Sequence, residues 1–190
     1  MTEPAEPLTD LRTLADYARA VGREHFLKEF THPWLVRAGV TSEIPRSVVS
    51  SFDPTMDTLP VSQARLNMFV APSASVWPVA RVAGRSGTRV MLGRDVDNDI
   101  AIANPAVSKV HACFIVGSDE VLLMDAGSKN GTEIDGRKLE PEQPLPLRDN
   151  HAVRFGGIVS ALYCTTELLW QLFESGALGI DPVSADEKDE

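Results

Sequence analysis

At 190 residues, with 43% hydrophobic and 24% charged side chains, the chain has the composition of a folded globular protein and is not disordered throughout. A net charge of −9 argues against non-specific DNA or RNA binding, which needs a basic face to displace counterions. No apolar run approaches the roughly 18 residues of a membrane-spanning helix, and the acidic, Pro-rich opening MTEPAEPLTD lacks the basic and apolar regions of a secretory signal.

In chain order, Thr9 is the expected N-cap of a first helix, because Leu11, Leu14, Ala15, Ala18 and Val21 follow at helical spacing. Gly22 interrupts the run, and a second helix is expected over Arg23 to Phe30. His32-Pro33 ends it, since the residue before proline is pushed out of the α region. Trp34, Leu35 and Val36 are apolar enough to require a packing partner. Residues 1–40 therefore read as a helical N-terminal extension. Residues 41–65 read as a linker: between Thr41 and Gln63, eight residues are Ser or Thr and three are Pro, a composition that buries little. Within it, Thr55 and Thr58 stand in an acidic-flanked stretch that a kinase can reach.

From about Leu66 the apolar period changes to two. Short runs rich in Val and Ile are expected as strands at Val76–Val82, Val90–Gly93, Val110–Val116, Val121–Asp125, Ala152–Phe155 and Ile158–Tyr163, separated by Gly, Asp and Asn turns. Such spacing indicates an all-β sandwich or barrel over residues 66–164, and the lack of βαβ alternation excludes a parallel α/β sheet. Thr165-Thr166-Glu167 caps a last helix that carries Leu168, Leu169, Leu172 and Phe173 and stops at Ser175-Gly176. An acidic tail completes residues 165–190. That final region has one Lys against seven Asp and Glu, whereas Ala80 to Cys164 has ten Lys and Arg against eleven Asp and Glu. The β region is thus near neutral and leaves room for a small basic pocket. Cys113 and Cys164 lie in apolar runs, as buried reduced thiols do. No Cys/His cluster has metal-ligand spacing, and His25, His32 and His151 form no ligand set.

One ordered set of polar residues interrupts the strands. Gly93-Arg94 ends a strand, followed by Asn98-Asp99-Ile100-Ala101-Ile102, Val107-Ser108-Lys109-Val110-His111-Ala112, Asp125-Ala126-Gly127-Ser128-Lys129-Asn130-Gly131-Thr132 and Asp135-Gly136. These loops offer a guanidinium, a hydroxyl and lysines, the groups suited to charge-assisted phosphate contact. Asn130-Gly131 is also a strong hairpin signal.

The ordered set, with Leu147-Arg148-Asp149-Asn150 and Val153-Arg154-Phe155-Gly156 after it, resembles the forkhead-associated (FHA) domain over about half the chain. The resemblance implies a mainly β fold: an FHA-type eleven-stranded β-sandwich, here with an N-terminal helical extension and a C-terminal helix. It implies that Arg94 and Ser108 bind the phosphate of a phosphothreonine and that Asn130 bonds the peptide backbone. Lys109 and Lys129 occupy flanking loop positions that in the family often touch phosphate or peptide, and so count among the implied phosphopeptide-binding residues, while Gly93, His111, Gly131 and Thr132 shape the loops. The implied partner is a phosphothreonine-containing protein, a Ser/Thr kinase or its substrate, with no nucleic acid, membrane, metal or cofactor. Two departures stand out: Asp135 where the family often has Asn, and Asn150-His151 where it usually has Gly-Asp.

Blander readings apply to each residue. Arg94 alone would be a solvated strand-end arginine, Ser108 a turn cap, and Asn130-Gly131 a type I′ turn. Ser108 and His111 together suggest a nucleophile and base, but no Gly-x-Ser-x-Gly elbow and no Walker-type loop is present. The expectation is a cytoplasmic phosphothreonine-dependent adaptor, not an enzyme. Its rival is a scaffold that uses the sandwich without phosphate.

Overall fold

The computed structural model describes residues 10–37, 75–81, 87–178 and 180–183. The expected cap Thr9, the linker with Thr55 and Thr58, the onset of strand periodicity at Leu66 and the end of the acidic tail lie outside these residues.

Helix α1 (Leu11–Val21) starts one residue later than the Thr9 cap implies. Asp10 is its N-cap and accepts hydrogen bonds from Thr13 N (3.1 Å) and Thr13 Oγ1 (2.8 Å). A carboxylate there satisfies a free helix-end N–H as a hydroxyl would. Gly22, at φ 77°, closes α1 and opens α2 (Arg23–Glu29). A third helix, α3 (Thr166–Glu174), is capped by Thr165.

Eleven strands are present among the described residues: β1 (Trp34–Arg37), β2 (Val76–Pro78), β3 (Arg89–Gly93), β4 (Ile100–Ala101), β5 (Ala112–Val116), β6 (Val121–Asp125), β7 (Thr132–Ile134), β8 (Arg137–Lys138), β9 (Leu145–Leu147), β10 (Ala152–Phe155) and β11 (Val159–Cys164). They form a six-stranded sheet, ordered β2-β1-β11-β10-β7-β8, and a five-stranded sheet, ordered β4-β3-β5-β6-β9. All pairings are antiparallel except β3 with β4. The strand expected from Val110 begins at Ala112, because Val110 is used in the loop and is exposed.

The N-terminal segment contributes more than helices. Strand β1 lies between β2 and β11, with Trp34 opposite Cys164 and Arg37 opposite Ala161. Its side chains alternate between two cores. Leu35 joins Val90, Leu92, Phe114, Leu123, Phe155 and Tyr163 between the sheets. Trp34 and Val36 join Leu14, Ala18, Phe26, Trp170 and Phe173 in a second core, beneath the helices. Strand β11 does the same, sending Ala161 and Tyr163 one way and Leu162 and Cys164 the other. A strand covered on both faces is apolar at every position, which is why Trp34-Leu35-Val36 shows no alternation. The described residues therefore form three layers: sheet, sheet, helices. Trp34 Nε1 donates to Thr166 Oγ1 (3.0 Å), and that hydroxyl donates to the His32 carbonyl (2.7 Å), tying β1 to α3. Both cysteines are unpaired and buried.

Asn130-Gly131 is not a hairpin turn. It joins β6 to β7, strands of different sheets, and Asn130 is not among the residues with positive φ, whereas a type I′ turn needs positive φ at both central positions. That requirement is met by Asp135 (φ 49°) and Gly136 (φ 79°), the two-residue link between β7 and β8.

Candidate functional site

Three loops meet at one end of the sandwich: residues 94–99 between β3 and β4, 102–111 between β4 and β5, and 126–131 between β6 and β7. The first two are joined by backbone bonds from Arg94 N to Ser108 O (2.8 Å) and Asp95 N to Lys109 O (3.2 Å). The buried Asn98 adds Nδ2 bonds to Asp95 O and Lys109 O, both 2.7 Å. Gly93 is required by this approach: a Cβ there would sit 2.1 Å from the Lys109 carbonyl oxygen and 2.8 Å from Asn98 Nδ2.

The third loop is held from below by Asp125 at the end of β6. Its carboxylate accepts from Gly127 N (2.9 Å), Ser128 N (2.8 Å), Ser128 Oγ (2.7 Å) and Thr132 Oγ1 (2.6 Å). Burial opposes ionisation, but the bonds from Thr132 and Ser128 together hold the Asp125 carboxyl below its usual range. Ser128 Oγ in turn accepts from Gly131 N (2.9 Å).

The fully buried His111 links the second loop to the third. Its Nδ1 accepts from Ser108 N (2.9 Å), which leaves the ring proton on Nε2, placed to donate to Gly131 O (3.2 Å). Burial pulls its pKa down, partly offset by the Gly131 carbonyl and Asp125. The imidazole thus faces the Ser108 backbone, and the Ser108 hydroxyl is engaged elsewhere, as acceptor from Lys129 N (3.0 Å). This is not the geometry of a base activating a nucleophile.

The structure brings together Arg94, Ser108, Lys109, Lys129 and Asn130. Four are exposed and Ser108 is half-buried. Among the described residues the Arg94 side chain has no hydrogen bond or ion pair. Ser108 retains its hydroxyl proton for donation. Asn130 gives Nδ2 to Ala106 O (2.9 Å), which orients the amide and leaves Oδ1 to accept. Gly93, His111, Gly131 and Thr132 are buried beneath. The arrangement presents three cations, one hydroxyl donor and one oriented amide on loops fixed before any ligand arrives. Nothing in the sequence marks Asn98, Asp125 and Ser128 as site residues, although all three stand within the ordered polar motifs. The two departures from the expected pattern face each other, with His151 Nε2 3.8 Å from Asp135 Oδ2.

Comparison with known proteins gives three kinds of match. The profile of the FHA domain family matches residues 90–156. An FHA domain-containing protein of Arabidopsis thaliana is 32% identical over 79 residues, which take in 41% of this chain and only 20% of that protein. A Corynebacterium glutamicum protein named oxoglutarate dehydrogenase inhibitor is 25% identical over 123 residues, 61% of this chain and 82% of its own. Among solved structures, the FHA domain of a Chlamydia trachomatis protein aligns with a TM-score of 0.45 at 22% identity, covering 70% of this chain and 96% of that one.

Proposed function

Residues 90–156 are an FHA domain, and from that premise we propose that this chain is a phosphothreonine-dependent protein-binding adaptor in Ser/Thr kinase signalling. The observation that supports it most is the Arg94 guanidinium, without a hydrogen bond or ion pair among the described residues, on the same cross-linked loops as the Ser108 hydroxyl and the Asn130 amide. Phosphothreonine carries nearly two negative charges and three acceptor oxygens. Arg94 supplies a planar fork to them and Ser108 a neutral donor. Lys109 and Lys129 add positive charge, and Asn130 Oδ1 accepts a peptide N–H. The partner is a phosphothreonine-containing protein, a Ser/Thr kinase or its substrate. The name of the Corynebacterium relative supports action by binding rather than by catalysis. The unpaired, buried cysteines support the reducing cytoplasm as the working compartment.

The test is calorimetric titration of a phosphothreonine peptide, selected from a degenerate library, against wild type and two variants. Hydrogen bonds to charged groups contribute about 1.5–3 kcal/mol each. Arg94→Ala should therefore lose about 2–3 kcal/mol or more, some thirty-fold to over a hundred-fold in affinity. Arg94→Lys should recover only part, since an ammonium does not reproduce the fork. The unphosphorylated peptide should not bind. If folded Arg94→Ala binds as wild type does, the protein is a phosphate-independent scaffold.

A further inference from the structure

Strand β8 places Lys138 directly opposite Glu133 of β7. An antiparallel pair of opposite charges normally closes across the ladder. Here it does not: Glu133 is engaged from its other side by Arg154 of β10 (3.4 Å). Lys138 instead runs along the strand and lies over Gly131. A Cβ at residue 131 would fall 2.3 Å from Lys138 Cε and 3.0 Å from Nζ, so the glycine leaves the space that the lysine stem fills. Gly131 also has φ 87°, a conformation that disfavours any side chain. The ammonium comes to rest beside the backbone that follows Asn130. It is exposed and has no ion pair or hydrogen bond among the described residues.

We propose that Lys138 is a specificity-determining residue that selects an anionic side chain, a carboxylate or a second phosphate, close in sequence to the phosphothreonine. This rests on the phosphothreonine reading above. A peptide whose backbone is held by Asn130 Oδ1 passes the Lys138 ammonium, and a negative side chain there meets a cation that stands on a strand rather than a loop. Selection by Lys138 is separate from phosphate binding, because Lys138 stands on β8 whereas Arg94 and Ser108 lie on the loops after β3 and β4.

The experiment uses the full chain and a library with fixed phosphothreonine and randomised flanks, read alongside its unphosphorylated counterpart. Wild type should enrich Asp, Glu or phosphoserine at one flanking position. Lys138→Glu should lose that enrichment or invert it toward Lys and Arg, with phosphothreonine still required. Arg137→Ala, on the opposite pleat face, should select as wild type does. For single peptides differing only at the selected position, replacing Asp by Asn should weaken wild-type binding about twofold to fivefold, the range of exposed ion pairs, and should leave Lys138→Ala unaffected. Parallel peptides with Asp and with phosphoserine at that position show which anion is preferred. Identical flank selection by wild type and Lys138→Glu overturns the proposal. If wild type enriches neither library, the phosphothreonine reading has failed and this proposal falls with it. Circular dichroism confirms that the variants fold.

Discussion

The buried His111 imidazole works only while neutral, since protonation would set an N–H on Nδ1 against the N–H of Ser108. Burial lowers its pKa beneath the ordinary 6.5, and burial lowers that of His32 beside Trp34 as well. The unfolded chain therefore takes up these protons first. Stability should be fully present above about pH 6.5 and decline as pH falls below it, levelling off only beneath the folded-state values. Each group contributes a slope of at most about 1.4 kcal/mol per pH unit. Urea unfolding between pH 7.5 and 5 should show a shallower decline for His111→Asn than for wild type, and an equal decline would remove the neutral-imidazole account. At this scale Arg94, Ser108 and Asn130 are legible in the sequence, because each lies in an ordered motif whose chemistry suits phosphate. Asp125, Asn98 and Lys138 are not. Their importance lies in which backbone atoms or open spaces they reach, and that depends on loops brought together from distant parts of the chain.

The strands rich in Val and Ile are legible for a similar reason: β6 and β10 have the bounds that their apolar runs suggest. Strand β1 is hidden because four residues after two helices, buried on both faces, carry no period. The Asn130-Gly131 pair misleads because a hairpin signal is local, whereas the choice of sheet is not. The departures at Asp135 and Asn150-His151 make sense between elements. Asp135 and Asn150 both hold positive φ, 49° and 70°, where Gly, Asn and Asp are best tolerated. Asp135 Oδ1 also accepts from Ala152 N (2.9 Å), and its other oxygen faces His151. Asp135→Asn keeps the turn and that bond while removing the charge. A double-mutant cycle with His151→Gln should give a coupling of about 0.2–1 kcal/mol, the range of partly exposed polar pairs. A coupling indistinguishable from zero would mean that the two side chains only lie near each other.

At the scale of the molecule, the matched family segment and the folding unit differ in extent. Residues 90–156 omit β1, β2 and β11, three adjacent strands of the six-stranded sheet. A fragment of residues 66–164, the sandwich as delimited by periodicity, still lacks β1, α1, α2 and α3. It would leave β2 without its neighbour and expose the face formed by Val76, Leu162 and Cys164. The fragment should therefore show no cooperative thermal transition by circular dichroism and should bind hydrophobic dye. A sharp transition in it would show that the helical layer is dispensable.

Strands β1 and β11 supply alternate side chains to the cores on either side of them, so neither core can be emptied without stripping the other of part of its lining. Melting should then be all-or-none, with a single calorimetric endotherm, and two resolved transitions would show that the cores unfold independently. The same sharing makes the two ends of the molecule thermodynamic reporters of each other. A ligand that grips the loops near Arg94 should slow hydrogen exchange in α1 and α3, which it never touches, wherever exchange there proceeds through global opening.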